Sequence, residues 1–199
     1  FTVKVRGKAS HAGFAPQDGV HAIRIAAAAI AEMAIGRIGD DTTVNVGQIE
    51  GGRASNIVPD YCEVSGELRS FSHKKALEEL AKVEQIFAKE AEKRGGSIEF
   101  IRDICYQAYK TDENESVVKE FQKACMACGI KSSLIATFGG SDQNKMSEHG
   151  IPGIVMASAM HQVHSCQEYT EVSEMAQVAG IVSELLQMKE ENLTFLIFS

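Results

Sequence analysis

The chain has 199 residues, of which 44% are hydrophobic and 24% charged, and its formal net charge is −7. This composition supports a normal hydrophobic core and excludes a disordered chain, and the length allows one large domain or two small ones. The acidic balance without a basic patch argues against a nucleic-acid-binding protein, and no stretch approaches the apolar length of a membrane-spanning helix.

Residues 1–110 predict two consecutive strand–helix–strand units. The chain opens with Phe1 inside an alternating run and without a preceding signal peptide, so we interpret it as a piece of a longer polypeptide. The pattern predicts strands at 1–9, 43–49, 61–69 and 97–104, and helices at 20–34 and 74–94. The order β-α-β-β-α-β is the ferredoxin-like arrangement.

The strand predicted at 61–69 has the clearest alternation in the chain. Its apolar or small side chains belong to Cys62, Val64, Gly66 and Leu68, and its polar ones to Glu63, Ser65, Glu67 and Arg69. Because successive side chains of a strand point to opposite faces, one face is expected to be packed. The other face is expected to meet solvent or a ligand.

Residues 111–199 have a different character. The pattern predicts helices at 116–128, 143–149 and 172–189, and apolar strands at 132–138 and 151–159. Two apolar strands separated by a helix favour parallel pairing in a sheet covered on both faces. Two strands are too few for an independent domain, so the remaining strands are expected upstream. The apolar segment 193–198 is compatible with a last strand or with a partner-binding tail.

The five cysteines are scattered and odd in number, which predicts reduced thiols in a cytoplasmic protein rather than a disulfide framework. Cys125 and Cys128 have the spacing of a redox or zinc-binding pair. They fall in a predicted helix that buries Phe121 and Ala124, and no second such pair follows. A structural role is therefore favoured for them.

A His-rich loop, running from His161 to Glu168, follows the second apolar strand. Loops beyond the carboxyl ends of strands are where ligands bind in open α/β sheets, and imidazole with carboxylate suits a divalent metal. We therefore predict that His164 is a metal ligand and that Glu168 orients its ring. A self-contained site from His161, His164 and Asp142 is a less favoured alternative, because catalytic zinc sites usually gather ligands from several strand ends.

Four other residues are candidates for substrate contacts. His11 lies between small residues after the first strand, and Asn56 lies in a Gly-rich loop. Arg69 ends the polar face of the clearest strand, and an arginine can bind a carboxylate through two hydrogen bonds. Gly140, in a Gly-Gly pair, allows the backbone to approach a substrate closely. The structural alternatives are a turn histidine, a turn asparagine and a solvated arginine.

Together these segments resemble the di-zinc exopeptidase family that includes peptidase T, glutamate carboxypeptidase and aminoacylase, with the strongest resemblance to peptidase T-like members. The separated signatures run in the family's order from Gly7-Lys-Ala-Ser-His11-Ala-Gly13 to His164-Ser-Cys-Gln-Glu168. The resemblance implies an α/β (α+β) fold class. It also implies a ferredoxin-like lid or dimerisation domain at 1–110, followed at 111–199 by the C-terminal portion of a zinc-exopeptidase α/β domain.

The resemblance also implies roles for single residues. His11 resembles the lid histidine that reaches the partner's active site in dimeric relatives and steadies the oxyanion. Asn56 resembles the lid asparagine that helps hold substrate, and Arg69 resembles the arginine that grips a substrate carboxylate. Gly140 resembles the backbone position that lines the substrate pocket, and His164 resembles the last zinc ligand.

The family's other metal ligands and its general-base glutamate precede the lid and are therefore expected outside this chain. The resemblance thus implies two zinc ions per complete site, with one ligand here, and a chain that is inactive alone. The expected activity is that of a tripeptide aminopeptidase-like zinc metallopeptidase, a cytoplasmic homodimer joined through the lid, with short peptides as substrates. The alternatives are an N-acyl amino acid deacylase of the same architecture and a non-catalytic dimerisation module.

Overall fold

A computed structural model describes residues 1–197, and it describes side chains for residues 1–187. The chain divides into two compact units, Phe1–Ala108 and Tyr109–Ser199. The first unit is built on a sheet, whereas the regular structure of the second is mostly helical.

The first unit contains seven strands, two helices and a short 3-10 turn at Pro16–Asp18. The strands are β1 (Thr2–Arg6), β2 (Ser10–His11), β3 (Gly36–Ile38), β4 (Thr42–Gly51), β5 (Ile57–Val58), β6 (Tyr61–Ser70) and β7 (Ser97–Ile101), and the helices are α1 (Ala22–Glu32) and α2 (His73–Lys93). Five strands form one sheet in the order β3-β4-β6-β1-β7, and β2 pairs with β5. Each pairing is antiparallel.

The core of this unit lies between one face of the sheet and the two helices. Val3 and Val5 of β1 and Val64 of β6 are buried there against Ile25 of α1 and Phe87 of α2. The opposite face of β6 carries Glu63, Ser65, Glu67 and Arg69, and all four are partly or largely exposed. The alternation predicted for this strand is therefore confirmed, and the sheet keeps an open polar face.

Local sequence explains where the two helices begin and end. The ring Nδ1 of His21 accepts the backbone N–H of Arg24 before α1, and the hydroxyl of Ser72 accepts the backbone N–H of Lys75 before α2. Such caps satisfy donors that the first turn of a helix leaves unpaired. Beyond α2 the chain turns at Gly95 with φ +74°, a conformation that glycine adopts without strain.

The predicted fold class is confirmed for the first unit, because β1, β4, β6 and β7 with α1 and α2 follow the ferredoxin-like order. The sequence did not predict the short strand β3 or the pair β2 and β5. Two- and three-residue strands contain too few residues for a recognisable alternation. They form because a neighbouring strand supplies backbone hydrogen bonds: β3 pairs with β4, and β2 pairs with β5.

The second unit packs its helices around a small core. Its elements are α3 (Ser116–Ala127), α4 (Asp142–Glu148), β8 (Met160–His161), β9 (Tyr169–Thr170) and α5 (Val172–Ile197). Ala124 and Cys125 of α3 are buried against Ile181 of α5. Burial raises the pKa of the Cys125 thiol. All five cysteines are free thiols.

The strands predicted at 132–138 and 151–159 are wrong, because the backbone there is irregular. A strand needs hydrogen-bonding neighbours, and the part of the chain that the structure describes pairs none with these segments. The apolar side chains stay largely uncovered: Ile135 is 83% exposed, Ile151 54% and Val155 56%. Apolar composition alone therefore did not make these segments strands.

The backbone of α5 continues through the apolar C-terminal segment as far as Ile197, so a last strand is not formed at 193–197. Phe198 and Ser199 lie outside the described residues. Within the described residues, none of the helices combines the length and apolar content that a bilayer span requires.

The fully buried Phe87 provides a test of the core. We expect Phe87→Ala to destabilise the first unit by about 3–5 kcal/mol, because the substitution leaves a cavity. Leu77→Ala on the same helix is the control. Because Leu77 is 39% exposed, this substitution should lower the stability of the unit much less. Hydrogen exchange at the β1 amides in denaturant reports this unit alone. Equal losses of stability for the two variants would contradict the placement of Phe87 in the core.

Candidate functional site

The ladder between β1 and β6 continues beyond the main sheet and brings His11 and Asn56 together. The backbone N–H of Gly7 donates to the carbonyl of Asp60 at 2.8 Å, between the two short ladders. Further along, His11 lies opposite Ile57, and the N–H of Ala12 donates to the Asn56 carbonyl at 3.0 Å. Both His11 and Asn56 are exposed at the end of this ribbon.

The hydrogen bonds of His11 assign the tautomer of its neutral imidazole. Its Nδ1 accepts the backbone N–H groups of Gly13 at 3.1 Å and Phe14 at 3.2 Å. A ring nitrogen that accepts hydrogen bonds carries no proton, so the proton of the neutral imidazole lies on Nε2. His11 therefore presents an Nε2–H donor. Such a donor suits a developing oxyanion.

Phe14 completes the setting of this imidazole. Its ring centroid lies 4.3 Å from that of His11, with the two planes tilted by 31°. Phe14 itself is 85% exposed, so contact with the histidine is its main packing. The sequence analysis missed Phe14. The signal that was present is an aromatic residue three positions after a histidine in a turn.

The loop before Asn56 is braced by an ion pair. Nη2 of Arg53 lies 3.0 and 3.1 Å from the two carboxylate oxygens of Asp60. A depression of about 450 Å³ adjoins this loop, and it is lined by His21, Ile23, Gly51, Gly52, Arg53, Ala54, Ser55, Ile57 and Pro59. The polar loop is therefore held at the mouth of a small open depression next to Asn56.

Arg69 lies toward the opposite end of β6 from the ribbon that carries His11 and Asn56. It is eight residues along β6 from Tyr61, where the His11 ribbon leaves the sheet, and eight strand residues span about 26 Å. Its Nε and Nη2 donate to the two carboxylate oxygens of Glu67 at 2.9 and 2.8 Å. Hydrogen bonding to Glu67 raises the pKa of Arg69.

In the second unit, His164 sits in a loop of unusual backbone conformation. Three residues that are not glycine have positive φ there: Ala159 (59°), Gln162 (51°) and His164 (64°). Residues in such conformations are strained, and strain of this kind clusters at functional sites. Gln162 and His164 lie in the loop that connects β8 to β9, which pair as a hairpin, and Ala159 directly precedes β8.

A separate hydrogen bond holds each of these three residues. The hydroxyl of Thr170 donates to the Ala159 carbonyl at 2.6 Å, and the hydroxyl of Ser165 donates to the Gln162 carbonyl at 2.7 Å. The backbone N–H of His164 donates to the Glu168 carboxylate at 2.8 Å. Glu168 thus differs from its predicted role, because it orients the backbone of His164 rather than its ring.

The ring held by a carboxylate is that of His161. Its Nε2 lies 2.6 Å from a carboxylate oxygen of Glu174, in the first turn of α5. The ring also stacks on Tyr169, its partner across the hairpin, with centroids 4.8 Å apart. Glu174 and Tyr169 were not predicted from the sequence, since neither spacing nor periodicity marks a contact between a hairpin and a following helix.

Gly140 lies in an exposed loop before α4. The N–H of the preceding Gly139 donates to the Thr137 hydroxyl at 3.1 Å, and the N–H of Ser141 donates to the Asn144 side-chain oxygen at 3.0 Å. These two bonds shape the turn on either side of Gly140. Its exposed backbone is compatible with the predicted contact to a substrate.

The side chains present do not complete a metal site. Among the described residues, no group of three or more His, Cys, Asp or Glu side chains is arranged to hold a metal ion. The self-contained alternative built from His161, His164 and Asp142 is therefore wrong. The exposed His164, in its shaped loop, can serve as one metal ligand. Catalytic zinc takes three protein ligands.

The hydrogen bond from the His164 N–H to Glu168 can be tested by substitution. Glu168→Ala removes the acceptor of the His164 N–H, so we expect hydrogen exchange of that amide to accelerate about tenfold. Glu171→Ala is the control, because Glu171 is an exposed carboxylate nearby whose only hydrogen bond described here uses its backbone carbonyl. An unchanged exchange rate in Glu168→Ala would show that the carboxylate does not hold the loop.

Comparison with known proteins places this geometry in a family. Residues 1–95 match the model of the M20 peptidase dimerisation domain. Over 181 residues the chain is 35% identical to the uncharacterized protein YqjE of Bacillus subtilis (strain 168). That similarity covers 91% of this chain and 49% of YqjE.

Two solved structures resemble the chain over nearly its whole length. It is 37% identical to aminopeptidase PepT from Bacillus cereus ATCC 10987, with a TM-score of 0.81, over 92% of this chain and 49% of that one. It is 31% identical to a tripeptidase from Staphylococcus aureus subsp. aureus Mu50, with a TM-score of 0.87, over 94% and 50%. The chain thus spans about half the length of these relatives. It belongs to the M20 peptidase family and carries that family's dimerisation domain at residues 1–95.

Proposed function

We propose that the chain is the lid and the C-terminal catalytic portion of a zinc-dependent, tripeptide aminopeptidase-like exopeptidase. The observation that carries the proposal is that Nδ1 of the exposed His11, beside Asn56, accepts two backbone N–H groups, which leaves Nε2 as the donor of the neutral imidazole. Similarity to an aminopeptidase and a tripeptidase supports the substrate class. A non-catalytic dimerisation module would not need an imidazole arranged in this way.

In the proposed reaction, water attacks the carbonyl carbon of a peptide bond and the carbonyl oxygen becomes an oxyanion. The Nε2–H of His11 donates to that oxyanion, and removing one such donor typically slows turnover by about a hundredfold or more. Asn56 and Arg69 hold the substrate, and Arg69 binds its terminal carboxylate. The exposed backbone at Gly140 lines the pocket.

His164 would be one ligand of a di-zinc centre. The described residues do not complete that centre, so on this proposal the remaining ligands and the general base are supplied by residues outside the chain. The shaped loop around His164 supports this role, because a ligand held in one backbone conformation loses little freedom when it binds. The isolated chain is then inactive and binds zinc weakly.

The distance between His11 and Arg69 bears on how one site is assembled. Along β6, Arg69 lies about 26 Å from Tyr61, where the ribbon that carries His11 leaves the sheet, whereas a fully extended tripeptide spans only about 11 Å. One chain therefore cannot place both groups on the same short substrate. We propose a homodimer in which each site takes His11 and Asn56 from one chain and Arg69 from the other, consistent with the dimerisation domain.

A side-by-side measurement tests the proposed activity. We expect a polypeptide extended upstream to bind about two zinc ions per chain and to hydrolyse tripeptides, and the 199-residue chain to do neither. A panel with N-acyl amino acids distinguishes the deacylase alternative, because both substrate types carry a carboxylate for Arg69. Absence of zinc and of hydrolysis in both polypeptides would favour the dimerisation module.

Mixed dimers test whether one site uses two chains. His11→Ala and Arg69→Ala should each impair the extended enzyme, while its zinc content stays normal. After subunits of the two variants are exchanged in equal amounts, about one quarter of all sites should combine an intact His11 with an intact Arg69. Activity should then rise to about one quarter of the wild-type value.

The control for subunit exchange mixes each variant with itself. A further control is His149→Ala, which changes an exposed histidine at the end of α4 and should leave activity unchanged. If the mixture of His11→Ala and Arg69→Ala stays as inactive as its parents although heterodimers form, the shared site is wrong.

A further inference from the structure

Glu67 and Arg69 form a closed pair on the open face of the sheet. They lie two residues apart on β6, so their side chains point to the same side. Both oxygens of the carboxylate accept hydrogen bonds from the guanidinium, at 2.9 Å from Nε and 2.8 Å from Nη2. The edge of Arg69 formed by these two nitrogens is thus occupied by a carboxylate of the chain itself.

The residues directly opposite the pair on β4 are not carboxylates. Opposite Glu67 and Arg69 on β4 are Asn45 and Thr43, which are both uncharged. One strand further, Arg37 of β3 lies opposite Thr43 and in the same row as Arg69. Glu67, in the adjacent row, is therefore the carboxylate that neutralises Arg69 within its own strand.

The pair is arranged so that a solute can replace Glu67. The side chain of Arg69 is 44% exposed and that of Glu67 57%. An ion pair this exposed is held weakly, because water screens the charges and both side chains lose freedom on pairing. A terminal peptide carboxylate has the same two-oxygen geometry as Glu67. One edge of a guanidinium cannot bind both carboxylates through two hydrogen bonds at once.

We propose that Glu67 is a specificity-determining residue that competes with the terminal carboxylate of the substrate for Arg69. This inference rests on the proposed function, in which Arg69 binds that carboxylate. In the empty site Glu67 neutralises the guanidinium. When a peptide binds, Glu67 leaves and the peptide takes its two hydrogen bonds. The exchange lowers the affinity for every carboxylate ligand, and a product that carries the carboxylate is released more readily.

The test compares Glu67→Gln with wild type in the extended polypeptide, using a tripeptide with a free carboxylate and the same tripeptide amidated at its C-terminus. The substitution keeps the size of the side chain and removes its charge. We expect KM for the free tripeptide to fall about two- to fivefold, the range of an exposed ion pair. KM for the amide should not change. Calorimetric binding of both peptides to the zinc-free polypeptide should give the same contrast without turnover.

Glu99→Gln is the matched control, because Glu99 is a carboxylate on β7 that pairs with Lys4 at 3.6 Å and lies away from Arg69. It should alter neither KM. An increase or no change in KM for the free tripeptide with Glu67→Gln would overturn the competition and show that Glu67 positions Arg69 or does nothing. Equal decreases for both peptides would overturn it as well. If wild type neither binds nor hydrolyses either peptide, the proposed function fails together with the inference.

Discussion

The antiparallel pairing of β1 with β6 is the constraint on which the first unit depends. Its register sets Val3 opposite Val64 and Val5 opposite Cys62, so four buried side chains line the helix-packed face of two neighbouring strands. A shift of one strand by one residue would turn its two buried side chains toward the open face. The same ladder continues into β2 and β5, so the register that builds the core also places His11 beside Asn56.

Arg69 lies beyond the end of this ladder, where β6 pairs with β4, so β6 separates it from the ribbon that carries His11. From Tyr61, where that ribbon leaves the sheet, to Arg69 the strand spans about 26 Å, more than twice the length of an extended tripeptide. In the proposed dimer the two chains therefore share each site, and the proposed competition between Glu67 and the substrate carboxylate acts at the end of the site that Arg69 supplies.

The second unit shows how a functional loop is held without a large core. Three strained residues between positions 159 and 164 are each tied by one hydrogen bond, and the His161 ring links the hairpin to α5 through Glu174. These bonds are local, so the loop around His164 keeps its shape although Ile135 and Val155 nearby in sequence stay exposed. Composition made those apolar runs resemble buried strands, but a strand exists only where a neighbour accepts its hydrogen bonds.

The sequence by itself determined the elements with sustained periodicity: the alternating β6, the amphipathic α1 and α2, and the ferredoxin-like order that follows from them. It also marked His11, Asn56, Arg69, Gly140 and His164, whose proposed roles remain predictions. Only the tertiary structure decided which nitrogen of His11 is the donor, that Glu168 binds a backbone N–H, and that Glu67 occupies Arg69. Periodicity is a property of neighbouring residues and can be read along the chain. Hydrogen-bond partners and separations depend on register and on side-chain geometry, which the order of residues does not specify.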